Sequence, residues 1–177
     1  TGCPTMSTRS PSTRTEALQR VAVTIAPPGI APRQLVLLSQ VPGRFHDVQP
    51  SRLGRAKREA RRLVQDLDGD RLGLIAFAGR SYILTPLTVD GGAVSLYLDG
   101  LDPDLASEGG TDLAATLNQG RELLEATSEI SDRVLVVFTD GETHDSLSGV
   151  EDAAAAIKKA GIRLILVGEG TPVPVKI

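Results

Sequence analysis

The stretch Arg133-Val-Leu-Val-Val-Phe-Thr-Asp-Gly-Glu-Thr143 decides the fold. Its five consecutive apolar residues, 134–138, are bounded by an arginine before and by Asp140-Gly141 after. A short, β-branched run of that kind reads as a strand buried on both faces, as in the middle of a parallel sheet. Its end delivers Thr139 and Asp140 into a turn at Gly141. In open α/β sheets, ligands bind beyond the carboxyl ends of the strands. Two readings of Asp140 are therefore open. It either holds a cation or solvates the strand end.

Working outward, the segment from Asp47 onward alternates strands with helices. Pro50-Ser51 starts a helix, with Ser51 as N-cap, and Leu53, Ala56, Ala60, Leu63, Val64 and Leu67 form one apolar stripe. The basic run over residues 55–62 falls opposite that stripe and reads as a solvated outer face. Residues 71–77 form the next strand, and Ala78-Gly79-Arg80 connects it tightly to residues 81–85, which implies an antiparallel hairpin. Thr85 and Thr88, around Pro86, serve the turn that follows. Asp90 or Gly91 opens a short helix, and residues 99–110 are loop. Thr111-Asp112 starts another helix, in which Thr111 reads as the N-cap. Residues 150–160 form an alanine-rich helix closed by Gly161, and 162–167 the last strand. The fold class is α/β, a doubly wound, mostly parallel sheet with helices on both faces and one antiparallel edge hairpin.

Residues 1–46 differ in kind. They hold six of the eleven prolines, five arginines, no lysine and a single acid, Glu16. The first 15 or so lack any apolar period and are expected to be disordered. Residues 21–25 could form a short strand, and Leu35-Val-Leu-Leu38 is the one run strong enough for a buried strand. That strand is expected to fill the central slot between strands 71–77 and 134–138. The chain divides into a divergent, partly disordered segment 1–46 that supplies a first strand at 35–39, and a main domain 47–177.

Composition narrows the chemistry. With 41% hydrophobic residues, 3% aromatics and no tryptophan, the core is aliphatic. A net charge of -3 gives no footprint for nucleic acid. Cys3 is the sole cysteine, so no internal disulfide or thiolate cluster forms. No apolar run reaches the roughly 18 residues needed to span a bilayer, and Met6 does not open a signal peptide. His46 and His144 lack ligand spacing. Glu142 and Asp145 read as a solvated acidic loop. No phosphate loop, Ser-His-Asp or Cys-His order is present.

Four motifs, in order, carry a resemblance: Asp47-Val-Gln-Pro-Ser-Arg-Leu-Gly-Arg-Ala-Lys57, Asp70-Arg-Leu-Gly-Leu-Ile-Ala-Phe-Ala-Gly79, Glu108-Gly-Gly-Thr-Asp-Leu113 and Phe138-Thr-Asp-Gly-Glu142. Over residues 47–172 the chain resembles the von Willebrand factor type A domain, and within it the bacterial membrane-anchored BatA/BatB proteins linked to aerotolerance and to MoxR-type ATPases. The resemblance implies a non-enzymatic protein-interaction domain. Its partner, another Bat protein or a MoxR-type ATPase system, would bind through the C-terminal face of the sheet. The parent would sit in the bacterial cell membrane with this domain outside the cytoplasm. The membrane segments would belong to the parent, and this chain would itself be soluble.

The resemblance also implies a metal-ion-dependent adhesion site for Mg²⁺, with Thr111 and Asp140 as two of its ligands. The third element, an Asp-x-Ser-x-Ser motif expected near Leu38-Ser-Gln-Val-Pro42, is missing. Ser39 is the one hydroxyl there, and Asp47 lies too far along to substitute. Two ligands are too few to dehydrate Mg²⁺ usefully, so binding is expected to be weak or lost. A change of reading frame within residues 1–46 would explain the composition break, since codons for Pro42-Gly-Arg-Phe-His46 permit Leu-Asp-Val-Ser one base along. The family also continues past Pro172 into a further strand and helix, so the domain is expected to end short. The competing readings are a small Mg²⁺-dependent phosphotransfer or hydrolase enzyme using Asp140, and a non-functional fragment.

Overall fold

The computed structural model describes residues 33–41, 51–67, 69–103, 111–127, 131–141 and 145–169. The expectations for residues 1–32, for strand 21–25 and for His46, Asp47, Glu142 and His144 lie outside these.

Among the described residues five strands form one sheet: β1 (Arg33–Gln40), β2 (Arg71–Phe77), β3 (Ser81–Thr88), β4 (Asp132–Thr139) and β5 (Arg163–Gly168). Their order is β3-β2-β1-β4-β5, and every pairing is parallel except β2 with β3. The expected central strand is therefore where sequence placed it. Leu37 pairs with Leu74 on one side and Val136 on the other. With both edges and both faces covered, β1 tolerates polar side chains only near its ends, and residues 35–38 are 0–1% exposed.

Among the described residues four helices cover the sheet: α1 (Arg52–Asp66), α2 (Gly91–Asp99), α3 (Leu113–Glu125) and α4 (Leu147–Lys159). Alternation along β1 sorts the core into two layers. Leu35 and Leu37 pack with Leu53, Ala56, Ala60 and Val64 of α1 and with Val94 and Leu98 of α2. Val36 and Leu38 pack with Leu117 and Leu124 of α3 and with Ala153 and Ile157 of α4. The doubly wound architecture follows from this division.

Helix starts are set by side-chain caps. Ser51 Oγ accepts from Gly54 N at 2.9 Å, as expected. Asp90 Oδ1 accepts from Ala93 N at 3.0 Å. For α3 the cap is Asp112, not Thr111: Asp112 Oδ1 accepts from Ala115 N at 2.9 Å. A carboxylate one position later satisfies the open N–H groups equally well, and this releases Thr111 for another role. α4 begins three residues earlier than its apolar pattern suggests, because Ser146 Oγ caps Gly149 N at 3.2 Å. The hairpin strand β3 also runs past Thr85, which is buried opposite Leu74 rather than in a turn. Thr88 does serve the turn, its Oγ1 accepting from Asp90 N at 3.1 Å. On α1, the basic face is partly paired: Arg61 with Asp99 of α2, and Arg62 with Glu59.

Candidate functional site

The carboxyl ends of β1, β4 and β5 and the starts of α1 and α3 converge at one edge of the sheet. β1 ends at Gln40, β4 releases Asp140, and β5 is followed by Glu169. Gly141 follows Asp140 with φ of +84°, a left-handed turn that glycine adopts without Cβ strain. The chain therefore reverses immediately and leaves the carboxylate at the strand mouth.

Thr111 and Asp140, the two residues the sequence singled out, are brought together through Gln40. The Gln40 Oε1 accepts from Asp140 N at 3.0 Å and from Thr139 Oγ1 at 2.6 Å. Because a backbone N–H must be met by an oxygen, the amide orientation is fixed and its NH₂ points the other way. There Nε2 donates to Thr111 Oγ1 at 3.3 Å. Thr111 and Gln40 are 7% and 6% exposed, so these bonds are made out of water. Ser39, the hydroxyl singled out in sequence, lies one residue short. It is buried, and its Oγ has no partner among the described residues.

Charge at the edge is set by two residues that sequence reading missed. Arg52, the first residue of α1, places NH1 3.0 Å from Asp140 Oδ2, with side-chain exposures of 12% and 2%. Glu169 follows β5 and bonds through its backbone N to Thr139 O at 2.9 Å. Its carboxylate is buried, and neither oxygen has a hydrogen-bond partner among the described residues. Burial pushes that carboxyl up to about 7, helped by nearby Glu59 and opposed by Arg55 and Arg58. Gln40, Arg52, Ala56, Phe138, Thr139, Asp140 and Glu169 line one narrow cleft. Asp145 is not a solvated loop acid: its Oδ2 accepts from Ala114 N at 2.8 Å and ties the α4 approach to the start of α3.

A divalent cation such as Mg²⁺ needs several hard oxygen donors with lone pairs aimed at one point. Here Thr111 Oγ1 faces an amide NH₂, Gln40 Oε1 already takes two donors, and a guanidinium sits on Asp140. Among the described residues no group of three or more His, Cys, Asp or Glu is placed to hold a metal. This donor set does not fit the ion.

Residues 41–142 match the von Willebrand factor type A domain. The chain belongs to the von Willebrand factor type A family. Among solved type A structures it is similar to BatB from Bacteroides thetaiotaomicron, at 34% identity and a TM-score of 0.70 over 82% of this chain and 72% of that one. It is equally similar in fold to an aerotolerance-related membrane protein from Bacteroides fragilis NCTC 9343, at 31% identity and a TM-score of 0.70, covering 81% and 72% of the two chains. A UPF0353 protein of Mycobacterium sp. (strain KMS) is 31% identical over 139 residues, 73% of this chain and 41% of that protein. The chain thus spans about two fifths of the curated relative's length. Among the described residues of this type A domain, no helix is long and apolar enough to cross a membrane.

Proposed function

We propose that this chain is a non-enzymatic type A domain of a Bat-like protein that binds a protein partner at the C-terminal edge of its sheet, with an impaired metal site. The observation that carries the reading is the Gln40 amide, which joins Thr111 to Asp140 at the end of β1, where a carboxylate would be needed to complete an Mg²⁺ site. The edge itself is built as a rigid platform: the ends of β1 and β4 and the starts of α1 and α3 are tied by side-chain bonds, and the end of β5 joins them through a backbone bond. Rigid presentation suits recognition of a partner surface, because little order is lost on binding.

The parent is anchored in the bacterial cell membrane with this domain outside the cytoplasm, in keeping with the similar Bacteroides fragilis protein, described as an aerotolerance-related membrane protein. A companion Bat protein shares that compartment, which favours it over a MoxR-type ATPase as the direct partner. Two measurements test the proposal. Calorimetric titration with Mg²⁺ or Mn²⁺ at about millimolar concentration should give little heat, and Asp140→Ala should change it little. Binding to a companion Bat protein from the same organism should fall at least tenfold in Arg80→Glu, at the C-terminal edge, and stay unchanged in Asp66→Lys at the end of α1. Equal effects of the two substitutions would remove the edge as the binding surface.

A further inference from the structure

We propose that Arg52 is the built-in cation of this edge: its guanidinium holds the position against Asp140 that a divalent metal would otherwise take, so the site is assembled without one. This rests on the reading of the edge as an interaction site with an impaired metal centre, and it names what replaced the ion.

Three observations carry it. The Asp140 side chain is 2% exposed, and a carboxylate taken out of water must be neutralised by a partner. Arg52 supplies that partner from the first turn of α1, at 3.0 Å and itself 12% exposed. The ion pair is therefore part of the packed edge rather than a surface contact. Second, the position at the end of β1 carries no charge, because Gln40 is an amide. The other carboxylate that lines the cleft, Glu169, is buried. A divalent ion at Asp140 would sit beside a fixed guanidinium that repels it at short range in a low-dielectric cleft. Third, the amide and the guanidinium are complementary. Gln40 satisfies the backbone N–H of Asp140 while Arg52 satisfies its carboxylate, so the two together meet demands on Asp140 that ligands and metal would otherwise share.

The ordering of the site by an arginine also changes what controls it. A metal site is loaded and unloaded by the medium, whereas a covalently attached cation is always present. Binding of the partner at this edge should then be indifferent to chelators.

The test is Mn²⁺ affinity, read by water-proton relaxation, in four forms of this chain and one charge-keeping control; the four are the unmodified chain, Arg52→Gln, Gln40→Asp, and Gln40→Asp with Arg52→Gln. The first three should bind Mn²⁺ weakly, and the double variant at least tenfold more tightly than Gln40→Asp alone. Gln40→Asp with Arg52→Lys, which keeps the charge, should bind no better than Gln40→Asp. If the double variant gains nothing over Gln40→Asp, Arg52 is not the excluding cation and the inference fails, while the impaired-site reading stands. If the unmodified chain binds Mn²⁺ tightly and Arg52→Gln is no tighter, both fail. Should the double variant not fold alone, refolding in Mn²⁺ but not in EDTA supports the inference, and failure in both overturns it.

Discussion

At the residue scale, Glu169 is the group whose environment and chemistry disagree most. It carries a carboxyl into a buried position where neither oxygen meets a donor among the described residues. Desolvation then favours the neutral acid, raising the folded pKa to about 7 from an ordinary 4.5. The folded state thus holds the proton more tightly than the unfolded state. The associated stability is fully present below about pH 4.5 and is lost as pH rises through 7. Its ceiling of about 3 kcal/mol is reduced to on the order of 1–2 kcal/mol by solvent screening. Glu169→Gln, neutral at every pH, should flatten the decline between pH 5 and 8 and be the more stable protein at pH 8. Urea unfolding at both pH values measures this, and an unchanged slope in Glu169→Gln would count against it. Glu169 went unnoticed in the sequence because nothing in Gly168-Glu-Gly-Thr-Pro172 separates a loop acid from one folded under a helix.

At the scale of elements, α3 packs closely on β4 at Gly120. A Cβ at Gly120 would lie 2.7 Å from Leu135 Cδ1 and 3.3 Å from Leu38 Cδ2. Leu135 is fully buried, so its methyl has little room to move aside. Gly120→Ala gains up to about 1 kcal/mol of helix propensity but overpacks the interface by about 1–3 kcal/mol. The net result should be a loss of about 1 kcal/mol, and Gly120→Val should lose roughly 3 kcal/mol, by chemical denaturation. A stabilised Gly120→Ala would mean that α3 shifts off β4 freely. The apolar stripe of α3, with Leu117 and Leu124, could be read from spacing, but the reason for a mid-helix glycine could not. Spacing reports which face is inward and says nothing of how near the neighbouring layer lies.

At the scale of the whole molecule, stability is concentrated at the centre of the sheet. β1 is hydrogen-bonded on both sides and covered on both faces, whereas β3 and β5 are the outer strands among those described. Leu164, Ile165 and Val167 of β5 are half-buried and Leu166 is exposed. Amide exchange should therefore be slowest in β1 and β4, approaching the global unfolding limit, and at least tenfold faster in β5, which can open locally. Equal protection of β4 and β5 would show that the sheet opens only as a unit.

The sequence by itself determined the layout of this protein. Runs such as Leu35-Val-Leu-Leu38 and Val134-Leu-Val-Val-Phe138 are too apolar to sit anywhere but between two helical layers, and the motif order identified the family. Burial of apolar surface is additive along the chain, so it leaves a periodic trace in one dimension. The tertiary structure alone decided what the edge of the sheet is made of. Gln40, Arg52 and Asp140 are separated by 12 and 88 positions, and their roles rest on bonds of about 3 Å that exist only after the strand ends converge. Hydrogen bonds and ion pairs act over so short a range that no local pattern announces them. An amide at the end of a strand and an arginine at the start of a helix became a site only through the packing that joined them.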